Sequence, residues 1–212
     1  MQHYRNEMNF YQFKQQLFDL ACFNINQVYA WKPDFNRTNL TRWLKQGYII
    51  RLRQRYFSFP EYKNKPDYAR YFANRIYRPS YISLQTALSF YGMIPEAVVQ
   101  FTNITSLKTA VFFNEFGEYS YKSIKEEFMF GYEPKFIADG RTVLFATPEK
   151  ALLDLLYLNP FYNSEQDFLE LRLDEDYMQD ELNQELLIKY CSQFQNKELK
   201  KRVNLLLKTY KL

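Results

Sequence analysis

Apolar positions recur at helical spacing three times in the first fifty residues, and the pattern then switches to alternation. In "FYQFKQQLFDL" (10–20), Phe10, Phe13, Leu17 and Leu20 define one face of a first helix. In "NINQVYAWKP" (24–33), Asn24 is placed to cap, Ile25, Val28 and Tyr29 form a stripe, and Pro33 ends the segment. A third helix starts near Asn36 or Thr38, both capping residue types, and stops at Gly47. "YIIRLR" (48–53) and "YFSF" (56–59) then read as two short strands around Arg53, Gln54 and Arg55. Three helices followed by a hairpin is the layout of a winged helix-turn-helix.

"PEYKNKP" (60–66) is polar, bracketed by prolines, and reads as a linker. Beyond it, Ala69, Phe72, Ala73 and Ile76 mark a helix that must end before Pro79. "SLQTALSFYG" (83–92) is a second, with Ser83 as cap and Gly92 as stop. A strand-rich stretch follows: "KTAVFF" (108–113), a turn at Gly117, "EYSYKSI" (118–124), and "PKFIADGRTVLFA" (134–146) with a hairpin signal at Asp139 and Gly140. "TPEKALLDLLYL" (147–158) opens with Thr147 as cap and Pro148 at the first helical position. From 164 to the end the pattern is helical and highly charged. The expected fold class is α+β: an N-terminal winged helix-turn-helix over 1–62, then a mixed α+β domain with a helical C-terminal tail over 63–212.

Charge sharpens this picture. The net charge is +4, yet residues 37–55 hold six of the 28 Lys and Arg and none of the 24 Asp and Glu. The remainder is therefore slightly acidic, and one face is polarised toward a polyanion. On a helix at about 100° per residue, Leu40, Trp43 and Leu44 form a buried stripe. Thr38, Thr41, Arg42 and Lys45 gather opposite, with Asn39 at the margin and Arg37 just before the first turn. Hydroxyl, guanidinium and ammonium groups suit phosphate oxygens and major-groove base edges, and Asn suits adenine. In the hairpin, Tyr48, Ile50 and Leu52 are expected on one face, and Ile49, Arg51 and Arg53 on the other. Arg53, Gln54 and Arg55 form the turn, where a wing meets backbone or minor groove. A solvated helix beside a basic edge hairpin, charged to deter strand pairing, is the reading that needs no ligand.

The remaining chemistry is sparse. With 5 glycines no Gly-rich phosphate cradle is possible, and with one histidine, His3, neither a His-based triad nor a His metal site can be assembled. Glu126 and Glu127 are adjacent and cannot face one pocket from a regular element. Glu149 falls in a first helical turn, and Lys150 with Asp154 makes an i, i+4 pair. Tyr157 and the tyrosines of 119–132 read as core packing rather than an RNA-stacking platform, and acidic 172–185 as a solvated helix start or a protein-docking surface. Cys22 and Cys191 lack metal-ligand spacing. With no secretory leader and no apolar run approaching twenty residues, a cytoplasmic protein with reduced thiols, no membrane partner, no cofactor and no enzymatic activity is expected.

"PSYISLQTALSFYGMIPE" (79–96), "ATPEKALLDLLYL" (146–158) and the hairpin "GYIIRLRQRYFSF" (47–59) resemble, in order, the AbiEi family of antitoxin and transcriptional regulators from abortive-infection (phage-defence) toxin–antitoxin operons. The resemblance spans about residues 10–175. It implies an N-terminal domain that binds double-stranded DNA and represses its own operon at inverted repeats. It also implies a second domain that counteracts a nucleotidyltransferase-like toxin, without a stable complex in the well-studied branch of the family. Carried onto this chain, Thr38, Asn39, Thr41, Arg42, Lys45, Arg51, Arg53 and Arg55 are the DNA contacts. Ser80, Ser83, Glu96, Glu149 and Lys150 fall in the shared motifs as fold signatures without an assigned role. Relatives often carry a glycine in the wing turn where this chain has Gln54 and Arg55, so a longer wing loop is expected here. The alternative function is a protein-interaction module that docks a partner directly with a winged helix that no longer binds DNA. An enzyme acting on nucleic acid would need a carboxylate cluster that the sequence does not assemble.

Overall fold

In the computed structural model, which describes residues 8–96 and 99–212, side-chain caps set most of the helix starts. His3 lies outside the described residues. Helix α1 spans Phe10–Leu17, with Asn9 Oδ1 accepting from the Tyr11 N–H. It tightens into a 3-10 turn, Phe18–Leu20, so the expected helix to residue 20 ends in a different winding. Helix α2, Ile25–Trp31, has a full capping box: Asn24 Oδ1 accepts from the Asn26 and Gln27 amides, while Gln27 Oε1 accepts from Asn24 N. Helix α3, Thr38–Lys45, begins where Asn36 Oδ1 accepts from the Thr38 N–H and hydroxyl. It ends in a Schellman motif, with Tyr48 N donating to Trp43 O and Gly47 N to Leu44 O. Gly47 takes φ +70°, which its missing Cβ permits.

Strands β2, Ile50–Arg53, and β3, Tyr56–Ser58, form an antiparallel hairpin, and β1, Phe23–Asn24, pairs with the far side of β3. The resulting small sheet runs β1-β3-β2. Its inner face joins α1, α2 and α3 in a core that mixes aromatic rings with the aliphatic side chains of Leu17, Ile25, Val28, Leu40 and Leu52. Phe13 lies 4.6 Å from Trp43 and 5.6 Å from Phe35 by ring centroid, and Phe23 packs on Phe59.

The expected linker is instead structured. Residues Pro60–Asn64 wind into a 3-10 turn whose Tyr62 is buried, stacks on Phe18 and Tyr68, and donates its hydroxyl to Phe18 O. Large apolar area at its centre outweighs the polar residues around it.

Helix α4 (Tyr68–Ile76) and helix α5 (Leu84–Phe90) flank a six-stranded mixed sheet. Its strands are β4 (Ser80–Ile82), β5 (Gln100–Thr105), β6 (Ala110–Asn114), β7 (Gly117–Ser123), β8 (Tyr132–Phe136) and β9 (Thr142–Ala146), in the order β6-β7-β5-β4-β9-β8. The β5/β7 and β4/β9 pairs are parallel and the others antiparallel. Tyr121 Oη donates to Ala73 O of α4 on one face, and Thr102 bonds Thr86 of α5 on the other. The Asp139 and Gly140 turn joins β8 to β9, with Gly140 at φ +71°.

Helix α6, Pro148–Leu158, packs on α5, with Thr147 Oγ1 accepting from Lys150 N. Beyond it, α7 (Glu165–Glu170), a π-helical turn (Tyr177–Glu181), α8 (Gln184–Gln193) and α9 (Lys197–Thr209) complete a helical C-terminal region. The molecule is thus a mixed α+β protein with a helical end.

Helix α6 is buried all round, and that changes the meaning of its charged pair. Lys150 and Asp154 form the expected i, i+4 ion pair, but both side chains are 0% exposed. Tyr81 Oη (2.9 Å) and Ser83 Oγ (2.8 Å) both donate to Asp154 Oδ2. Ser83 therefore does not cap α5 through its hydroxyl as expected; Thr102 Oγ1, from β5, accepts the Thr86 amide instead. The Lys150 ammonium sits 4.9 Å from the ring centroids of both Phe130 and Phe194. Burial lowers the Lys150 pKa and raises that of Asp154, and each partner opposes the shift of the other. The other motif residues also acquire places: Glu149 Oε1 accepts from Asn183 N, Glu96 pairs with Arg172 at the surface, and Ser80 is buried in β4.

Candidate nucleic-acid interface

Helix α3 is held by its inner face. Trp43 is 1% exposed and Leu40 3%, with Leu44 half-buried against the same core. Locking Trp43 among Phe10, Phe13 and Phe35 fixes the rotation of the helix, and 3.6-residue periodicity then fixes what points out. Arg37, Thr38, Thr41, Arg42 and Lys45 are exposed, and Asn39 is half-buried at the margin, as the sequence pattern requires. Thr38, Thr41, Arg42, Lys45 and Gln46 line a shallow depression on that face. The Thr38 hydroxyl already donates to Asn36 and is left with acceptor capacity.

The hairpin departs from expectation in three ways. First, its turn is tight. Arg53 pairs with Tyr56 across a two-residue turn of Gln54 and Arg55, and Arg55 adopts φ +70° without being glycine. A register shift between Arg51 and Arg53 accommodates the tight turn, so no longer loop is needed. Second, Ile49 is buried and Tyr48 is exposed, the reverse of simple alternation. Both residues precede β2 and follow the left-handed Gly47, and the Tyr48 ring lies 4.8 Å from Phe10.

Third, Arg53 does not face outward. Its guanidinium lies 4.7 Å from the Tyr77 centroid and 4.6 Å from that of Phe112, and Nη1 donates to Ile76 O at 2.7 Å. The bulge re-aims this side chain from the hairpin's outer face into the six-stranded sheet's side of the molecule. Arg51, Gln54 and Arg55 stay exposed, and Arg55 Nη2 donates to Asn26 Oδ1 of α2 at 2.9 Å. Replacement Arg53→Ala should therefore lower stability by about 1–2 kcal/mol, through the lost cation–π and hydrogen-bond contacts. The salt dependence of any polyanion binding should stay unchanged. Thermal melts and a salt titration on this variant read both.

Arg37, Thr38, Thr41, Arg42, Lys45, Arg51, Gln54 and Arg55 are thus exposed on or beside α3 and the hairpin, Asn39 is half-buried at the margin, and Arg53 is turned away from solvent. Among the described residues, Arg37, Arg42, Lys45, Arg51 and Arg55 make no ion pair. Five cations without counter-charge on one short segment make that segment strongly electropositive. Sequence periodicity missed the inward Arg53 because the bulge lies between two polar positions and leaves no apolar signature.

Cys22 and Cys191 are free, and burial pushes the Cys22 thiol up to about 12, which keeps it protonated at neutral pH. Among the described residues no group of three or more His, Cys, Asp or Glu is placed to hold a metal ion, and no helix is long and apolar enough to cross a membrane. Tyr119 and Tyr121 are fully buried and Tyr157 is half-buried, in keeping with core and half-core packing, whereas Tyr132 is 38% exposed and stacks on Tyr81. Compared with protein-family models and with curated proteins, the chain matches none.

Proposed function

We propose that this chain is a DNA-binding transcriptional autorepressor and antitoxin of a type IV-like toxin–antitoxin system, in which the N-terminal unit is a winged helix-turn-helix. One observation carries the DNA-binding half: α3 buries Leu40 and Trp43 while presenting Thr38, Thr41, Arg42 and Lys45 with no acidic residue between 37 and 55. The order α1, α2, α3, then hairpin, with a short strand β1 closing the sheet, supports α3 as the recognition helix and Arg51 and Arg55 as wing contacts. The left-handed Arg55 adds weight, because backbone strain at a non-glycine residue concentrates where a side chain is needed in place. The antitoxin half rests on the resemblance of 79–96 and 146–158 to AbiEi regulators. The toxin it counteracts would be nucleotidyltransferase-like.

A gel shift of the full chain on the DNA upstream of its own gene, against an unrelated duplex of equal length, tests the first half. Preferential retardation of the upstream DNA is expected; equal or absent retardation at low salt ends the proposal. For the second half, co-expression with a neighbouring nucleotidyltransferase-like gene should relieve growth arrest. The Arg42→Glu/Lys45→Glu chain should relieve it equally, since those residues belong to the DNA face.

A protein-docking reading is favoured by one feature. Strand β6 is an edge of the large sheet, and its outer positions Val111 and Phe113 are 46% and 72% exposed. The hairpin abuts this edge through Asn114 and Phe112, and the exposed Val111 and Phe113 side chains are a site for side-chain docking. Co-purification of the neighbouring gene product, lost with Phe113→Lys, would favour it over repression.

A further inference from the structure

A second concentration of positive charge lies away from α3. Between the N-terminal unit and α4 is a cleft of about 310 Å³. Arg75, Arg78 and Arg141 form one wall, and Asn24, Gln27 and Tyr56 stand on the other. No carboxylate lines it. Among the described residues none of the three arginines makes an ion pair.

Each guanidinium is nevertheless tethered. Arg75 lies 4.7 Å from the Tyr71 ring centroid, Arg78 Nε donates to Asn74 O at 3.1 Å, and Arg141 Nε donates to Tyr68 Oη at 3.0 Å. Arg141 Nη2 also reaches Asp19 O. Asp139, beyond Tyr68, is already engaged by Lys65 and the Tyr68 hydroxyl. Three like charges thus border one cleft, Arg75 and Arg78 also bordering a neighbouring one beside Tyr132 and Thr142, and each guanidinium has N–H donors beyond those tethers. The opposite wall is similarly provided. Gln27 and Asn24 spend their amide oxygens on the α2 capping box, and among the described residues their amide nitrogens and the Tyr56 hydroxyl meet no acceptor.

We propose that this cleft binds the phosphate group of a small phosphorylated ligand. Guanidinium forks match phosphate oxygens in geometry as well as charge, and a concave wall with low-dielectric sides focuses the field on the anion. An occupant bridges α2 and the residue after Arg55 to α4 and the β8–β9 turn. On the DNA-binding reading above, on which this consequence alone rests, it fixes the hairpin and α2 relative to the large sheet and so adjusts operator affinity.

Isothermal titration of the full chain with inorganic pyrophosphate, at ionic strength matched with NaCl, tests the site without reference to DNA. Saturable one-site binding is expected, weakened at least tenfold in Arg75→Gln/Arg78→Gln and unchanged in Arg42→Glu/Lys45→Glu. Arg141→Gln serves as an independent second variant, and circular dichroism verifies that each is folded. Binding that is absent above the NaCl control, or untouched by both cleft variants, overturns the proposal. A duplex arm separates the sources of phosphate. If DNA competes with pyrophosphate and the cleft variants lower the salt slope, the occupant is the DNA backbone; if DNA leaves pyrophosphate binding intact, it is a free small ligand. Failure of the chain to bind any duplex would remove the regulatory consequence and leave the cleft assignment standing.

Discussion

The Arg42→Glu/Lys45→Glu chain should lose duplex binding by two orders of magnitude or more while melting about 2–6 °C below the parent, since both positions are exposed and unpaired but lie in the last turn of α3, where carboxylates oppose the helix dipole. Arg37, Arg42, Lys45, Arg51 and Arg55 are the five exposed cations of the face. If each neutralises one phosphate, log K falls with log salt at a slope of about −4.5, or about 500-fold in affinity between 50 and 200 mM. Replacing two contacts by carboxylates removes about 1.8 from the slope magnitude and adds repulsion. Fluorescence anisotropy over a salt series reads slope and affinity together. A flat slope in the parent, or a slope unchanged by the double reversal, would sink the assignment. Specificity should reside elsewhere on α3: Asn39→Ala should relax discrimination at one position by about 1–3 kcal/mol with little change in slope.

The largest stability effect is expected at the buried pair. Asp154→Ala removes the one carboxylate that Lys150, Tyr81 and Ser83 share, leaving an uncompensated ammonium among aromatic rings. Breaking a buried pair from one side costs about 3–5 kcal/mol, which lowers Tm by about 10 °C in a chain of this size. The charges also predict opposite pH signatures. In Asp154→Ala the lone Lys150 has a folded pKa depressed below its unfolded value, so the native state binds fewer protons and stability rises with pH toward the unfolded lysine value. In Lys150→Met the lone Asp154 has a folded pKa raised above its unfolded value, so stability is retained in acid and falls as pH rises through the folded pKa. Lys150→Met/Asp154→Leu should recover most of the loss. Thermal melts of the three variants between pH 5 and 9 decide the matter. Parallel pH profiles for the two single variants would contradict the buried pair.

Much of the architecture was legible because it is written in caps and stops. Asn24, Thr147, Gly47, Gly92 and the Asp139 and Gly140 turn all lie where their chemistry places them. Three strands were not legible, for different reasons. β1 is two residues long and exists only through its pairing with β3. β4 is buried on both faces, so Ser80, Tyr81 and Ile82 show no alternation. β5 reads as polar in "QFTNIT", yet its Thr102 and Asn103 spend their polarity on Ser83 O, Thr86 and Ser120 O inside the protein.

On the candidate site, helical periodicity placed the α3 residues, because one tryptophan suffices to orient a helix. Hairpin alternation failed at Arg53, where a bulge intervened. The burial of Lys150 and Asp154 had a signal that spacing alone did not use. Ala151, Leu152, Leu153, Leu155 and Leu156 surround them on every side of α6, and a helix apolar all round is an interior helix.

The inward Arg53 has a mechanical corollary. Together with Asn114 Nδ2, which donates to Leu52 O from the end of β6, it rivets the hairpin to the second half of the chain at two neighbouring residues. A fragment cut after residue 62 would leave both rivets empty and Leu52 O unsatisfied. The hairpin is therefore not a portable part: on the DNA-binding proposal, substitutions at Tyr77, Phe112 or Asn114, none of them among the proposed contacts, should tilt Arg51 and Arg55 and alter operator preference from behind.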